Sequence, residues 1–275
     1  MMVSAAVAMT RTMRLLLAGG LAVAMFAMLG FAGCSLLLDP ADIVTLPNDA
    51  LRADGSVHGK LVRAAVNRRR ALLILPGASG YRDDYLEFAR RFPDWNALVL
   101  DYYRGGADVG EDALSAVTPS RFPQWKRNIV AGSDYLVDAG LARRDGIVLV
   151  GFSRGGTLAY SVIGDAGGYL GLISYYAGVE DALKSRTAWP ALLARLPPVL
   201  LIAGGADDDD VADARALHDA LREANRDVEL RIAPDMPHGF LDFSGAAHRQ
   251  ASQWSVEASR MFLDRLLRGG SQALR

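Results

Sequence analysis

The chain has 275 residues, of which 51% are hydrophobic and 22% are charged, the balance of an ordinary globular protein. This length is enough for one α/β domain with a full core. The formal net charge is −1, so no basic footprint for nucleic acid is present. A single Cys excludes an intramolecular disulfide and a metal cluster held by thiolates.

Residues 1–33 are predicted to be a targeting signal and not part of the fold. Two Arg precede an uncharged apolar run over residues 15–31, and two small residues then lead to Cys34, the only Cys. The pattern resembles a bacterial lipoprotein signal, which implies cleavage before Cys34 and acylation of its thiol. Ser35 stands where an Asp would retain a lipoprotein at the inner membrane, so the resemblance favours the periplasmic side of the outer membrane. An ordinary signal peptide or an uncleaved membrane helix is the alternative.

Residues 34–42 are predicted to be a tether, residues 43–268 the folded domain and residues 269–275 a tail. Short apolar runs predict strands at 43–46, 57–65, 71–75, 96–100, 147–150, 170–175, 198–203 and 228–232. Helical periodicity predicts helices at 83–92, 124–139, 156–163, 181–195 with a break at Pro190, 211–224 and 250–267. A hairpin is expected at residues 67–70.

Most of these strands are wholly apolar and alternate with helices. This pattern predicts an α/β fold with a mostly parallel, doubly wound sheet covered by helices on both faces. Ligands of such sheets bind at the carboxyl ends of the strands, so the loops that follow the strands are expected to carry the chemistry.

Residues 151–155 read Gly-Phe-Ser-Arg-Gly, directly after an apolar strand and before a helix. A sharp strand-to-helix turn strains its central residue and needs small neighbours, which Gly151 and Gly155 supply. Ser153 is therefore the candidate nucleophile. The motif also occurs by chance, as a strand–helix connection with an incidental Ser.

Two further polar loops follow later strands. Asp207 begins a run of four Asp after the strand at 198–203, and His238 lies between Pro and Gly after the last strand. A Ser hydroxyl needs a base within hydrogen-bond reach, and the base needs an acid that fixes its tautomer. We assign these roles to His238 and Asp207, with Asp208 as the alternative acid. A Ca²⁺ or Mg²⁺ site in the run is disfavoured because consecutive carboxylates rarely converge on one ion, and no metal or cofactor is expected.

The developing oxyanion requires backbone N–H donors. The residue after the nucleophile, Arg154, is expected to supply one. The Gly-rich loop at residues 76–80 is expected to supply the other, from Ala78 or, as the alternative, Ser79.

The order Ser, Asp, His at successive strand ends resembles the α/β-hydrolase superfamily over residues 43–268. The segments L-I-L-P-G-A-S-G-Y, L-V-L-D-Y-Y-R-G-G, G-F-S-R-G-G and P-H-G-F most resemble its dienelactone hydrolase branch, with a second likeness to acyl-CoA thioesterases. Dienelactone hydrolases proper use a Cys nucleophile. Ser153 departs from that pattern and favours a serine esterase.

No large lid domain fits in the 22 residues between the strands at 170–175 and 198–203, so residues 104–119 and 177–189 are expected to roof a modest pocket. The candidate substrate contacts are Tyr81, Tyr103, Arg104 and Phe240, with Tyr102, Trp125, Tyr176 and Trp189 as further possible walls. The predicted function is hydrolysis of a small ester, lactone or thioester. The alternative is a catalytically silent envelope lipoprotein that binds a ligand or partner.

Overall fold

A computed structural model describes residues 42–47, 56–103, 121–185 and 187–272. These residues form eight strands with helices between them. The strands are β1 (Asp42–Pro47), β2 (Ser56–Val62), β3 (Ala71–Leu75), β4 (Asn96–Asp101), β5 (Ile147–Phe152), β6 (Gly171–Tyr175), β7 (Val199–Gly204) and β8 (Val228–Ala233). The α-helices are α1 (Asp83–Arg90), α2 (Phe122–Asp138), α3 (Arg154–Ala166), α4 (Ala188–Arg195), α5 (Asp208–Glu223) and α6 (Ala246–Gln272).

The strands form one sheet in the order β1-β2-β4-β3-β5-β6-β7-β8. The pairs β1–β2 and β2–β4 are antiparallel, and all other neighbours are parallel. The mostly parallel α/β-hydrolase sheet predicted from the sequence is therefore confirmed. All residues of β3 are buried, as expected for a central strand covered on both faces.

The side chains of β3 alternate between two hydrophobic cores. Leu73 and Leu75 belong to the core that α2, α3, α4 and α5 cover, whereas Leu72 and Ile74 belong to the core under α1 and α6. Successive side chains of a strand point to opposite faces, so a fully apolar strand needs a cover on each side. The two helical layers cover both faces of the sheet beneath the loops at its carboxyl edge.

The predicted hairpin at residues 67–70 is wrong. Strand β2 ends at Val62 and pairs with β1 and β4, while both edges of β3 are occupied by β4 and β5. The intervening segment crosses the sheet end and is held by the buried side chain of Asn96. This amide accepts the N–H of Ala64 at 3.0 Å and donates to the carbonyl of Leu141 at 2.8 Å. A polar, basic connection is compatible with a crossing as well as with a turn, and the pairing of the apolar strands decides between them.

Most helical boundaries differ by a few residues from those predicted, for example in α4, α5 and α6. A 3₁₀ turn over Asp181–Lys184 precedes α4, whose third residue is Pro190. The first four N–H groups of a helix lack an intrahelical partner, so a Pro is accommodated there and does not break the helix. Helix α5 begins at Asp208 and not at Val211, and α6 continues to Gln272. Within the described residues, no helix is both long and apolar enough to cross a membrane.

Candidate active site

Ser153 occupies a strained turn between β5 and α3. Its φ is +51° and its ψ is −121°, a backbone conformation that residues other than Gly rarely adopt. The turn is very tight: a Cβ on Gly151 would lie 2.4 Å from Gly156, and a Cβ on Gly155 would lie 2.1 Å from the carbonyl oxygen of Leu75. Both glycines are therefore required by close backbone approach, and the tight turn presents Ser153 at the carboxyl edge of the sheet.

His238 lies in the loop after β8 and reaches Ser153 from across the sheet edge. Its Nε2 is 2.8 Å from Ser153 Oγ, and its Nδ1 is 2.7 Å from Asp207 Oδ2. The imidazole packs edge-on against the ring of Tyr176, with 5.2 Å between ring centroids. A hydrogen-bonded chain thus runs from a hydroxyl through an imidazole to a carboxylate.

The loops that carry the acid and the base are bonded to each other. The carbonyl of Met236 accepts the N–H of Ala206 at 2.9 Å, and a Cβ on Gly204 would lie only 2.4 Å from that carbonyl oxygen. The N–H of Gly205 donates to the carbonyl of Ala233 at 2.8 Å. These main-chain contacts hold the two loops next to each other. The side chains of Asp207 and His238 are thereby brought within hydrogen-bond distance.

The structure brings Asp207, and not Asp208, to the imidazole. Asp207 precedes the first residue of α5, whereas Asp208 is exposed on its first turn. A second carboxylate that the sequence analysis did not single out is also present: Asp210 Oδ2 lies 2.8 Å from Nδ1 of His238. Asp210 is three positions after Asp207, and an i, i+3 spacing on a helix places two side chains on the same side, which is the signal that would have found Asp210.

The two carboxyl groups and the imidazole perturb one another. Contact with Asp210, and then with Asp207, raises the pKa of His238, against an opposing effect of burial. Burial and the neighbouring Asp207 raise the pKa of Asp210. An imidazolium is therefore stabilised between these carboxyl groups.

The loop that carries Ala78 passes close to Ser153, and Arg154 follows Ser153 directly in the chain. The loop after β3 turns back through a hydrogen bond from Gly80 N–H to the Gly77 carbonyl at 3.0 Å, and a Cβ on Gly77 would be 3.3 Å from the Cβ of Ser153. Ala78 is in this turn, and Arg154 is the first residue of α3. The first N–H groups of a helix have no intrahelical acceptor, so that of Arg154 is available to a bound oxygen.

A cavity of about 290 Å³ opens over Ser153 and His238. Phe122, Tyr176 and Val179 give it apolar walls, and Arg154 and Glu180 bring charged side chains to its edge. The sequence pointed to Tyr176 and Arg154, and the expected roof segment 177–189 includes Val179 and Glu180, whereas Phe122 was not anticipated. The position of Phe122 depends on how the start of α2 folds over the sheet edge, which no local pattern reveals.

Three of the predicted substrate contacts do not line this cavity. Phe240 is fully buried, and Tyr103 is 4% exposed with its hydroxyl 2.6 Å from that of Tyr102. Tyr81 donates to Asp83 at 3.1 Å instead. Aromatic side chains near a strand end are drawn into the core by the area they bury, which corrects the predictions for Tyr103 and Phe240.

Two other predicted residues, Arg104 and Cys34, lie outside the described residues, as do the predicted signal and most of the tether.

A metal ion would compete with the hydrogen-bonded arrangement. Among the described residues, Asp207, Asp210 and His238 form a group whose possible ligand atoms lie within 4.8 Å of one another. An ion bound by Nδ1 of His238 would displace its hydrogen bond to Asp207, because a ligating nitrogen cannot also donate. Metal binding through Nδ1 of His238 and the hydrogen bond from Nδ1 to Asp207 therefore exclude each other.

The fold and the site define a hydrolase of the α/β type. The sequence profile of the dienelactone hydrolase family matches residues 57–266, so the chain belongs to that family. A lactone is a cyclic carboxylic ester, which places the chain among the carboxylic ester hydrolases.

The curated relatives match only a short part of this chain. The mouse (Mus musculus) hormone-sensitive lipase is 37% identical over 78 residues, which are 26% of this chain and 10% of the lipase. The chain thus matches only about a tenth of the length of this curated relative.

Solved structures share the fold. A dienelactone hydrolase-like promiscuous phosphotriesterase from metagenomic libraries superposes with a TM-score of 0.66 at 18% identity, over 82% of this chain and 99% of that one. An α/β-hydrolase enzyme from a Medee basin deep-sea metagenome library superposes with a TM-score of 0.60 at 18% identity, over 83% and 98%.

Proposed function

We propose that the chain hydrolyses a small carboxylic ester, lactone or thioester through an acyl-enzyme on Ser153. The observation that carries the proposal is the hydrogen-bonded chain from Ser153 Oγ through His238 to Asp207, at 2.8 and 2.7 Å. Such a chain supplies both a base for a weakly acidic hydroxyl and an acid that holds the base in the useful tautomer.

In the acylation step, His238 Nε2 takes the proton of Ser153 as Oγ bonds to the substrate carbonyl carbon. The carbonyl oxygen becomes an oxyanion and accepts hydrogen bonds from the backbone N–H groups of Ala78 and Arg154. Collapse of this intermediate breaks the bond to the leaving group, which departs as an alcohol or thiol after receiving the proton from His238. Asp207 stabilises the imidazolium throughout.

Deacylation repeats these steps with water. His238 removes a proton from a water molecule as its oxygen attacks the acyl carbon, and the bond to Ser153 Oγ then breaks as that oxygen regains a proton. The products are a carboxylic acid and the free enzyme. A cavity of about 290 Å³ suits a small acyl group.

Labelling with a fluorophosphonate probe tests this proposal, because the probe reacts covalently with a Ser whose hydroxyl is activated by a base. Wild type is expected to be labelled, and Ser153→Ala and His238→Ala are expected not to be. His218→Ala is the matched control, since His218 contacts Asp219 instead, and it should label like wild type. A folded wild type that does not react would favour the non-catalytic binding lipoprotein.

We further propose that Cys34 carries a lipid that anchors the protein to the bacterial envelope. The uncharged run that ends in the only Cys of the chain supports this, and more than one acyl chain would give stable anchoring. Cys34→Ala is expected to move the protein from the membrane to the soluble fraction of cell extracts. Unchanged fractionation would show that an uncleaved apolar helix holds the protein instead.

A further inference from the structure

The base His238 has two carboxyl groups at the same ring nitrogen. Asp207 Oδ2 lies 2.7 Å from Nδ1 and Asp210 Oδ2 lies 2.8 Å from it. Only the Asp207 contact has hydrogen-bond alignment, and Asp210 Oδ2 is buried without an aligned donor among the described residues. Nδ1 carries one hydrogen, so only one carboxylate accepts it at a time. The other carboxylate lies within hydrogen-bond distance of the same nitrogen.

The backbone holds both carboxyl groups in place. Asp207 precedes α5, and its carbonyl accepts the N–H of Val211 at 2.9 Å, so Asp210 lies on the first helical turn directly above it. The side chains of Asp207 and Asp210 are 15% and 17% exposed, whereas Asp208 and Asp209 are exposed to solvent. Of four consecutive Asp, the first and the fourth face the imidazole, as the spacing of a helical turn requires.

We propose that Asp210 is a second positioning carboxylate for His238, which shares with Asp207 the work of orienting the imidazole and stabilising its charged form. The proposal rests on the proposed function of Ser153 and His238. It differs from a triad with a single acid because either carboxylate can accept the Nδ1 hydrogen. Loss of Asp207 should therefore leave a working partner 2.8 Å away.

The other ionisable groups around Asp210 do not supply this role. Asp213, one helical turn further, is occupied by Lys184 Nζ at 2.8 Å and by the N–H of Val179 at 3.0 Å. The buried Tyr160 hydroxyl donates to Ser174, and its pKa is raised chiefly by burial, so it stays neutral. Arg154 and Glu180 line the same cavity as Asp210, and their side chains carry opposite charges.

The rate test compares three variants of the full-length chain. With a single acid, Asp→Asn would lower kcat by about 10⁴-fold, because the imidazole takes the wrong tautomer. We expect Asp207→Asn to lose roughly 10²-fold or less, since Asp210 Oδ2, 2.8 Å from Nδ1, can accept the Nδ1 hydrogen in place of Asp207. Asp207→Asn with Asp210→Asn together should lose about 10⁴-fold, far more than Asp207→Asn alone. Asp208→Asn is the control, because it makes the same charge change on the exposed side of the turn.

A second readout is the pH dependence of activity. Contact with Asp210 is the largest cause that raises the pKa of His238, so Asp210→Asn is expected to lower the pKa of His238. The base must be neutral to act, and activity falls as pH drops through this pKa. The acid limb of kcat/KM should therefore move to lower pH in Asp210→Asn and stay in place in Asp208→Asn.

The pKa itself can be followed by ¹⁵N NMR of the imidazole, with the signal assigned by its absence in His238→Gln. A lowered His238 pKa in Asp210→Asn, together with substantial activity in Asp207→Asn, supports the proposal. An unchanged His238 pKa in folded Asp210→Asn overturns it, as does a 10⁴-fold loss in Asp207→Asn alone. Absence of fluorophosphonate labelling in wild type would instead contradict the proposed function, and the NMR titration would still decide the role of Asp210.

Discussion

Ser153→Ala is expected to lower kcat by about 10⁶-fold while leaving the fold intact, because no other group supplies the bond to the acyl carbon. The substitution removes one hydroxyl and keeps the Cβ, so the turn and its main-chain hydrogen bonds to Tyr175 and Thr157 remain. The measurement is steady-state hydrolysis of a small aryl ester alongside thermal unfolding. Activity within ten-fold of wild type would show that another residue is the nucleophile.

Ser153→Gly is the matched control for backbone strain. It should be as inactive as Ser153→Ala, yet more stable than that variant by about 1 kcal/mol, because Gly adopts a φ of +51° without the steric penalty of a Cβ. Equal melting temperatures for the two variants would show that the turn is not strained. A higher melting temperature for Ser153→Gly would mean that the chain gives up stability to present its hydroxyl.

Gly155→Ala is expected to destabilise the protein by about 3 kcal/mol and to lower activity at least 10²-fold. The added Cβ would lie 2.1 Å from the carbonyl oxygen of Leu75 and 2.8 Å from that of Pro76. These are backbone atoms at the end of β3 and in the loop that carries Ala78, and they cannot swing aside as a flexible side chain would. Either α3 or the predicted oxyanion loop must move, and Ser153 moves with it.

Gly164→Ala, in the same helix, separates this clash from the general effect of placing a side chain on a Gly. Among the described residues, a Cβ at Gly164 would meet only Leu192, at an ordinary 3.6 Å, and Ala is favoured over Gly in a helix by about 1 kcal/mol. Urea denaturation should therefore show Gly164→Ala at or above the stability of wild type. Wild-type stability and activity in Gly155→Ala would mean that the turn is looser than its geometry indicates.

The sequence by itself determined the fold class and the edge of the sheet at which Ser153, Asp207 and His238 lie. Strands such as β3 and β5 are apolar throughout, and a strand without a polar face can only be the centre of a sheet covered on both sides. The parallel order then places the ends of β5, β7 and β8 at one edge, where the loops with Ser153, Asp207 and His238 must lie. Topology alone was sufficient for this step.

Only the tertiary structure decided which groups touch. Ser153 and His238 are 85 residues apart, and no local pattern reports that Asp210 as well as Asp207 lies at the ring nitrogen of His238. The side chains of Tyr103 and Phe240 follow strand ends as the candidate residues do, yet they are buried. Local sequence determines where each strand and helix forms. Contacts between distant loops depend on how those helices and strands pack, and this packing decides which side chains come within hydrogen-bond distance.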